Sequence, residues 1–188
     1  MNIQNLINRL RFEIHQIFQL FNDWMNEDQV IRNFKRNNES WSIDQILEHV
    51  SLTNHYLLLL IRKGTKKALR KSREIVLEEE LTGYDFHQPD LEAIGDVQSF
   101  KWKSPEHMLP VGDSRDVIVN RFNSQYEQLL DILEQLKNGE GILYKTTMSV
   151  YRLGKLDVYQ YINFLVLHAK RHIEQMEMVK KKFYSQKR

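Results

Sequence analysis

The chain has 188 residues, 41% of them hydrophobic and 28% charged, with a formal net charge of +2 and no cysteine. That length and balance fit one globular domain over residues 1–188, large enough to bury its own core without covalent staples. The missing cysteines exclude disulfides, thiolate metal sites and a cysteine nucleophile. The interleaved, nearly balanced charge excludes a dominant basic surface for nucleic acid.

The first residues mix charge and polarity throughout, unlike a secretory signal. The apolar run Tyr56 to Ile61 is far too short to span a bilayer. The expectation is a cytoplasmic protein that contacts neither membrane nor nucleic acid. Two basic clusters, Lys66 to Arg73 and Lys180 to Arg188, read as a solvated loop and a polar helix end, where cations also suit the helix dipole.

A helix is expected from Ile3 to Trp24, because Leu6, Ile7, Leu10, Ile14, Ile17, Phe18 and Phe21 recur at helical spacing. Phe12, Phe18 and Phe21, spread around this helix, make it a candidate face for a homodimer. Asn26 to Asn38 is polar and reads as a loop with a partial turn. A second helix opens at Ser42, with Gln45 three residues on to complete a capping box and Trp41 placed to staple against Ile46. Ile43, Ile46, Leu47, Val50 and Leu57 continue it, and Gly64 is the expected stop. Lys63 to Gly112 holds all three prolines and reads as a long crossover, with helical turns around Arg70 to Glu80. An ordered loop from Phe100 to Pro110 is weighted by Phe100, Trp102, Met108 and Leu109.

A third helix is expected from Ser114 to Lys137, capped by Asp113 and closed at Asn138-Gly139. A little extended structure is allowed between Ile142 and Tyr151. The last helix runs from Leu156 to Lys182, with Asp157 as its cap and Gln160 three residues later. Four amphipathic helices with a long crossover between the second and third make an all-α four-helix bundle.

The last helix carries His168 and His172, which lie on one face because residues four apart stack on a helix. That face is apolar, with Ile162, Leu165, Ala169, Ile173 and Met176 along or beside it. Such a pair alone fits a hydrogen-bonded core as well as a metal site. Ala169 stands where a zinc protease would need glutamate, which argues against a metalloprotease. His49, on the buried seam of the second helix, changes the reading. Bundle metal sites are built from inward residues on facing helices, and three imidazoles with open positions suit a catalytic metal. Glu174 and Gln175 read equally as partners that orient an imidazole and as polar residues facing solvent. Glu48 points to another face and reads as structural. His15, His55 and His87 read as packed or surface residues, and His107 as a residue at the site's entrance.

The run Trp41-Ser42-Ile43-Asp44-Gln45-Ile46-Leu47-Glu48-His49-Val50 resembles the opening of the second helix in the DinB/YfiT-like superfamily, W-S-x-x-(E/Q)-x-L-x-H-(L/V). Leu167 to Ile173, with its HxxxH, resembles that superfamily's second signature, and the Pro105 to Pro110 loop is similar to loops in some members. The resemblance covers essentially the whole chain. It implies a DinB-like bundle whose His49, His168 and His172 bind a divalent metal, commonly nickel, zinc or manganese. It also implies an enzyme that transfers a small thiol, such as bacillithiol or mycothiol, to an electrophilic substrate. A metal-dependent hydrolase and a non-catalytic, stress-related bundle protein are the alternatives, and the resemblance names no catalytic residue beyond the ligands.

Overall fold

A computed structural model describes residues 2–87, 89–99, 104–148, 150 and 152–186. Phe100 and Trp102 of the expected crossover loop, and Tyr151 at the end of the expected extended segment, lie outside them.

The first helix, α1 (Ile3–Met25), starts where the Asn2 side chain accepts from the Gln4 amide. It buries Leu6, Ile7, Leu10, Ile14, Ile17 and Phe21 along one stripe. Phe21 is fully buried, 4.8 Å from the ring of Phe122, and Phe18 meets Phe122 edge-on. Of the three phenylalanines expected to offer a contact face, only Phe12 stays exposed.

The polar segment after α1 contains a short helix, α2 (Gln29–Asn33), capped by Asp28 and tied to the next helix by Arg32 and Asp44, 2.6 Å apart. That next helix, α3 (Ile43–Lys71), opens on the expected capping box. The Gln45 amide donates to Ser42 Oγ at 3.3 Å, and the Ser42 amide donates to Gln45 Oε1 at 3.2 Å. Such a cap stabilises a helix by about 1 kcal/mol. The helix does not stop at Gly64. It continues to Lys71, so most of the basic cluster there is helix surface. Gly64 lies at a close approach instead, where a Cβ would sit 3.1 Å from Val158 Cγ2.

The crossover from Ser72 to Asp113 carries two short helices, α4 (Leu77–Leu81) and α5 (Pro89–Glu92), and 3₁₀ turns at Ala93–Gly95 and Glu106–Met108. Phe86, Leu91, Ile94 and Met108 are buried, so the crossover is a packed layer. The third long helix, α6 (Arg115–Gln135), is capped by Ser114, whose Oγ accepts from the Val117 amide. Asp113, the expected cap, instead pairs with Arg121 at 2.7 Å.

A 3₁₀ turn (Glu140–Leu143) follows Gly139, whose φ of 110° requires glycine. A two-stranded antiparallel hairpin, β1 (Lys145–Met148) and β2 (Gly154–Asp157), then leads into α7 (Val158–Gln186). Asp157 caps α7 as expected. Its Oδ1 accepts from the Gln160 amide and its amide donates to Gln160 Oε1, both at 3.0 Å. The fold is all-α apart from this hairpin. The helix α3 packs on α6 and α7, and α1 packs on the same two from the other side, around one contiguous apolar core. Among the described residues no helix is long and apolar enough to cross a membrane.

Candidate metal centre

His49 lies two turns into α3, and His168 and His172 lie in the middle of α7. Those two helices pack directly together, so the sequence-predicted residues meet. One ring nitrogen from each lies within 4.8 Å of the others. The His168 and His172 rings are 4.5 Å apart between centroids, and His49 is 5.4 Å from the first and 4.9 Å from the second. All three side chains are buried.

For His49 and His172, outer partners fix which nitrogen faces inward. His49 Nδ1 is 2.7 Å from the carbonyl oxygen of Met108. A carbonyl can only accept, so Nδ1 carries the hydrogen and Nε2 keeps its lone pair. His172 Nδ1 donates in the same way to Gln175 Oε1 at 2.9 Å. His172 Nε2 then lies 3.1 Å from His168 Nε2. That is a hydrogen-bond distance, and it is also close to the roughly 3.3 Å that separates two ligand nitrogens lying 2.0–2.1 Å from a tetrahedral metal. Burial lowers the pKa of all three rings. His172 falls to about 3, and His168, further depressed by the neighbouring histidines, falls well below the usual range. The rings are therefore neutral, as metal ligands must be.

The surroundings are apolar and aromatic. The Trp41 ring lies 4.8 Å from that of His49, and Phe164 stacks within 10° of parallel on His168. Glu48 turns away from the histidines, as expected of a structural residue. It is buried, and its carboxylate accepts from the amides of Val111, Gly112 and Asp113 at 2.8–3.1 Å. It thereby holds the segment that presents the Met108 carbonyl to His49. Gln175 has the expected orienting role, whereas Glu174 is exposed.

The remaining histidines stay outside the cluster. His15 is exposed and bridges Tyr126 and Gln19. His55 is exposed beside Tyr56, and His87 is exposed 3.4 Å from Glu92. His107 meets Tyr56 edge-on, 4.3 Å between ring centroids, and lies at the edge of a cavity of about 210 Å³ next to the cluster. Among the described residues no second group of three histidines or carboxylates converges in this way. The Met108 carbonyl was invisible in the sequence, because any residue supplies a backbone oxygen and only the turn at Glu106–Met108 aims this one.

The sequence model of the DinB superfamily matches residues 12–176, a stretch that takes in His49, His168 and His172. The chain belongs to the DinB superfamily. Among its DinB-superfamily relatives is the uncharacterized protein YuaE of Bacillus subtilis (strain 168), 26% identical over 152 residues, which cover 80% of this chain and 83% of that protein. No solved structure matches the chain.

Proposed function

We propose that this DinB-superfamily protein holds one divalent cation on His49, His168 and His172 and transfers a small thiol to an electrophilic substrate. The observation that carries the metal site is the pair of imidazole Nε2 atoms 3.1 Å apart. Two of the three rings have their outer nitrogens engaged by Met108 and Gln175, which leaves their inner lone pairs aimed at a common point. A set of neutral imidazoles suits zinc or nickel better than manganese. A cation bound there would favour the deprotonated form of a thiol, whose free pKa is about 8.5.

The chain's own residues supply the rest. Met108 and Gln175 orient the rings, and Trp41 and Phe164 keep the cluster dry. With no cysteine in the chain, the thiol must arrive on a second molecule. All three histidines come from one chain, so the centre needs no second copy.

Elemental analysis of purified protein tests the site: near-stoichiometric zinc or nickel is expected, with loss in His49→Ala and His172→Ala. Equal metal in all three proteins would remove the site. Thiol consumption by the metal-loaded protein against a panel of electrophiles tests the reaction. Thiol-independent ester hydrolysis would turn the reading to a hydrolase, and metal without either activity would leave a non-catalytic binding protein.

A further inference from the structure

A second cavity, of about 430 Å³, lies between α1, the crossover and α7. None of the three clustered histidines lines it. Its volume falls within the roughly 300–1,000 Å³ of small-molecule sites. Phe86 and Leu91 are buried in its wall and Leu167 is half-buried, so its deeper part is largely apolar.

The polar exception in that part is Asn163, which is 7% exposed. Packing alone favours a hydrocarbon at such a position. The Asn163 side-chain amide has no hydrogen-bond partner among the described residues. Yet neither of its amide atoms is sealed, unlike the Thr53 hydroxyl and the Asn54 side-chain oxygen. On a side chain so enclosed, the surface that remains opens on the cavity it lines. An amide carries two N–H donors and an accepting oxygen. It therefore complements a neutral group that both donates and accepts.

The rest of the wall is charged. Arg9 is exposed, with its guanidinium 5.0 Å from the centroid of the Phe86 ring and no carboxylate partner among the described residues. Stacking on the ring steadies a planar fork whose geometry matches a carboxylate. Asp85 and Glu92 line the same cavity without a lysine or arginine partner. Asp85 accepts from the His87 amide at 2.8 Å, and Glu92 lies 3.4 Å from the His87 ring. Glu13 is matched by Lys170 at 3.2 Å. A simple anion would meet one guanidinium and two unmatched carboxylates, and a simple cation would leave Arg9 unmatched. A zwitterion places both of its charges.

We propose that this cavity binds a free amino acid with a neutral, hydrogen-bonding side chain. Its carboxylate meets Arg9, its ammonium meets Asp85 and Glu92, and its side chain meets the Asn163 amide. The site is separate from the histidine cluster, so it stands or falls without the metal.

Ligand-detected NMR on the full chain, metal-free and zinc-loaded, measures the affinities of four probes. L-Glutamine carries all three features. 4-Aminobutanamide lacks the carboxylate, glutaramate lacks the ammonium, and L-norleucine lacks the side-chain amide. L-Glutamine should bind with a Kd of about 1 mM or below, equally with and without zinc, and more tightly than the other three. Asn163→Leu should lower the glutamine-to-norleucine affinity ratio by about 2- to 12-fold, the worth of one net hydrogen bond. Arg9→Gln, at an exposed position, should weaken L-glutamine by about 2- to 5-fold, the worth of an exposed ion pair, and leave 4-aminobutanamide unchanged. If Asn163→Leu does not fold, the Arg9→Gln comparison and the wild-type affinities decide. Absence of saturable L-glutamine binding, equal binding of 4-aminobutanamide or glutaramate, or an unchanged ratio in Asn163→Leu would overturn the proposal. Binding that appears only with zinc would overturn it as well, by placing the probe on the histidine cluster.

Discussion

Replacing Glu48 by glutamine should weaken metal binding even though Glu48 touches no histidine. Its carboxylate accepts from three successive amides, Val111, Gly112 and Asp113, through contacts of 2.8, 3.0, 3.1 and 3.0 Å. Hydrogen bonds to a charged group contribute about 1.5–3 kcal/mol each. Val111 and Gly112 are exposed, so their amides regain water when the carboxylate goes, and glutamine keeps one accepting oxygen. A net loss of about 2 kcal/mol remains, which for a chain of this size lowers Tm by about 4–8 °C. The freed segment also carries Met108, whose carbonyl holds His49. Loss of such an outer partner typically weakens metal binding by about 10- to 100-fold. The assay is zinc affinity by competition with a chromophoric chelator, together with Tm of the metal-free protein. Gly141→Ala, which destabilises the fold at another place, serves as the control. If Glu48→Gln loses Tm but binds zinc as tightly as that control, Glu48 does not act on His49 through the loop and the reasoning fails.

Gly141→Ala should itself be destabilising by about 1–3 kcal/mol through overpacking, because the new Cβ would lie 2.6 Å from a ring carbon of the fully buried Tyr159; thermal melting checks it. Zinc at about 100 times its Kd should add about 2.7 kcal/mol to stability, raising Tm by roughly 5–11 °C. A chelator should reverse the rise, and His168→Ala should abolish it. Burial pushes the Asp157 carboxyl above its ordinary range, against opposing hydrogen bonds from Gln160 and Tyr84. The folded state therefore holds this proton more tightly than the unfolded state, and the resulting stability, full below the unfolded pKa, is lost as pH rises from about 4 through the folded value. The Tm of Asp157→Asn relative to wild type should accordingly climb over that range; a flat difference would refute the shift.

What the sequence reveals here is what local chemistry decides. The Ser42–Gln45 and Asp157–Gln160 caps depend on residues three apart, and both form. The pairing of His168 with His172 follows from helical period, and the arrival of His49 follows from its place on the apolar seam of a neighbouring helix. The misreadings occur where the deciding neighbour is distant. Gly64 has the residue type of a helix stop, but it lies inside the helix, packed close to Val158 across the interface. Asp113 has the residue type of a cap, but Arg121 and the Glu48 carboxylate engage it, and Ser114 takes the capping position.

The crossover is thus part of the site rather than a tether between helices. It is pinned to α3 by Glu48 and to the start of α7 by Tyr84, which donates to Asp157 at 2.7 Å. Arg171, between the two histidines of α7, donates to the Asp96 carbonyl as a third anchor. Each anchor joins a crossover residue to a position beside a histidine or a helix cap, while Phe86, Leu91 and Ile94 fill the space beneath. The long helices bring the three rings together, but the hydrogen bond that orients the ring of His49 comes from a crossover carbonyl. Metal affinity should therefore follow the integrity of this cover more closely than the stability of the helices, and the comparison of Glu48→Gln with Gly141→Ala separates the two.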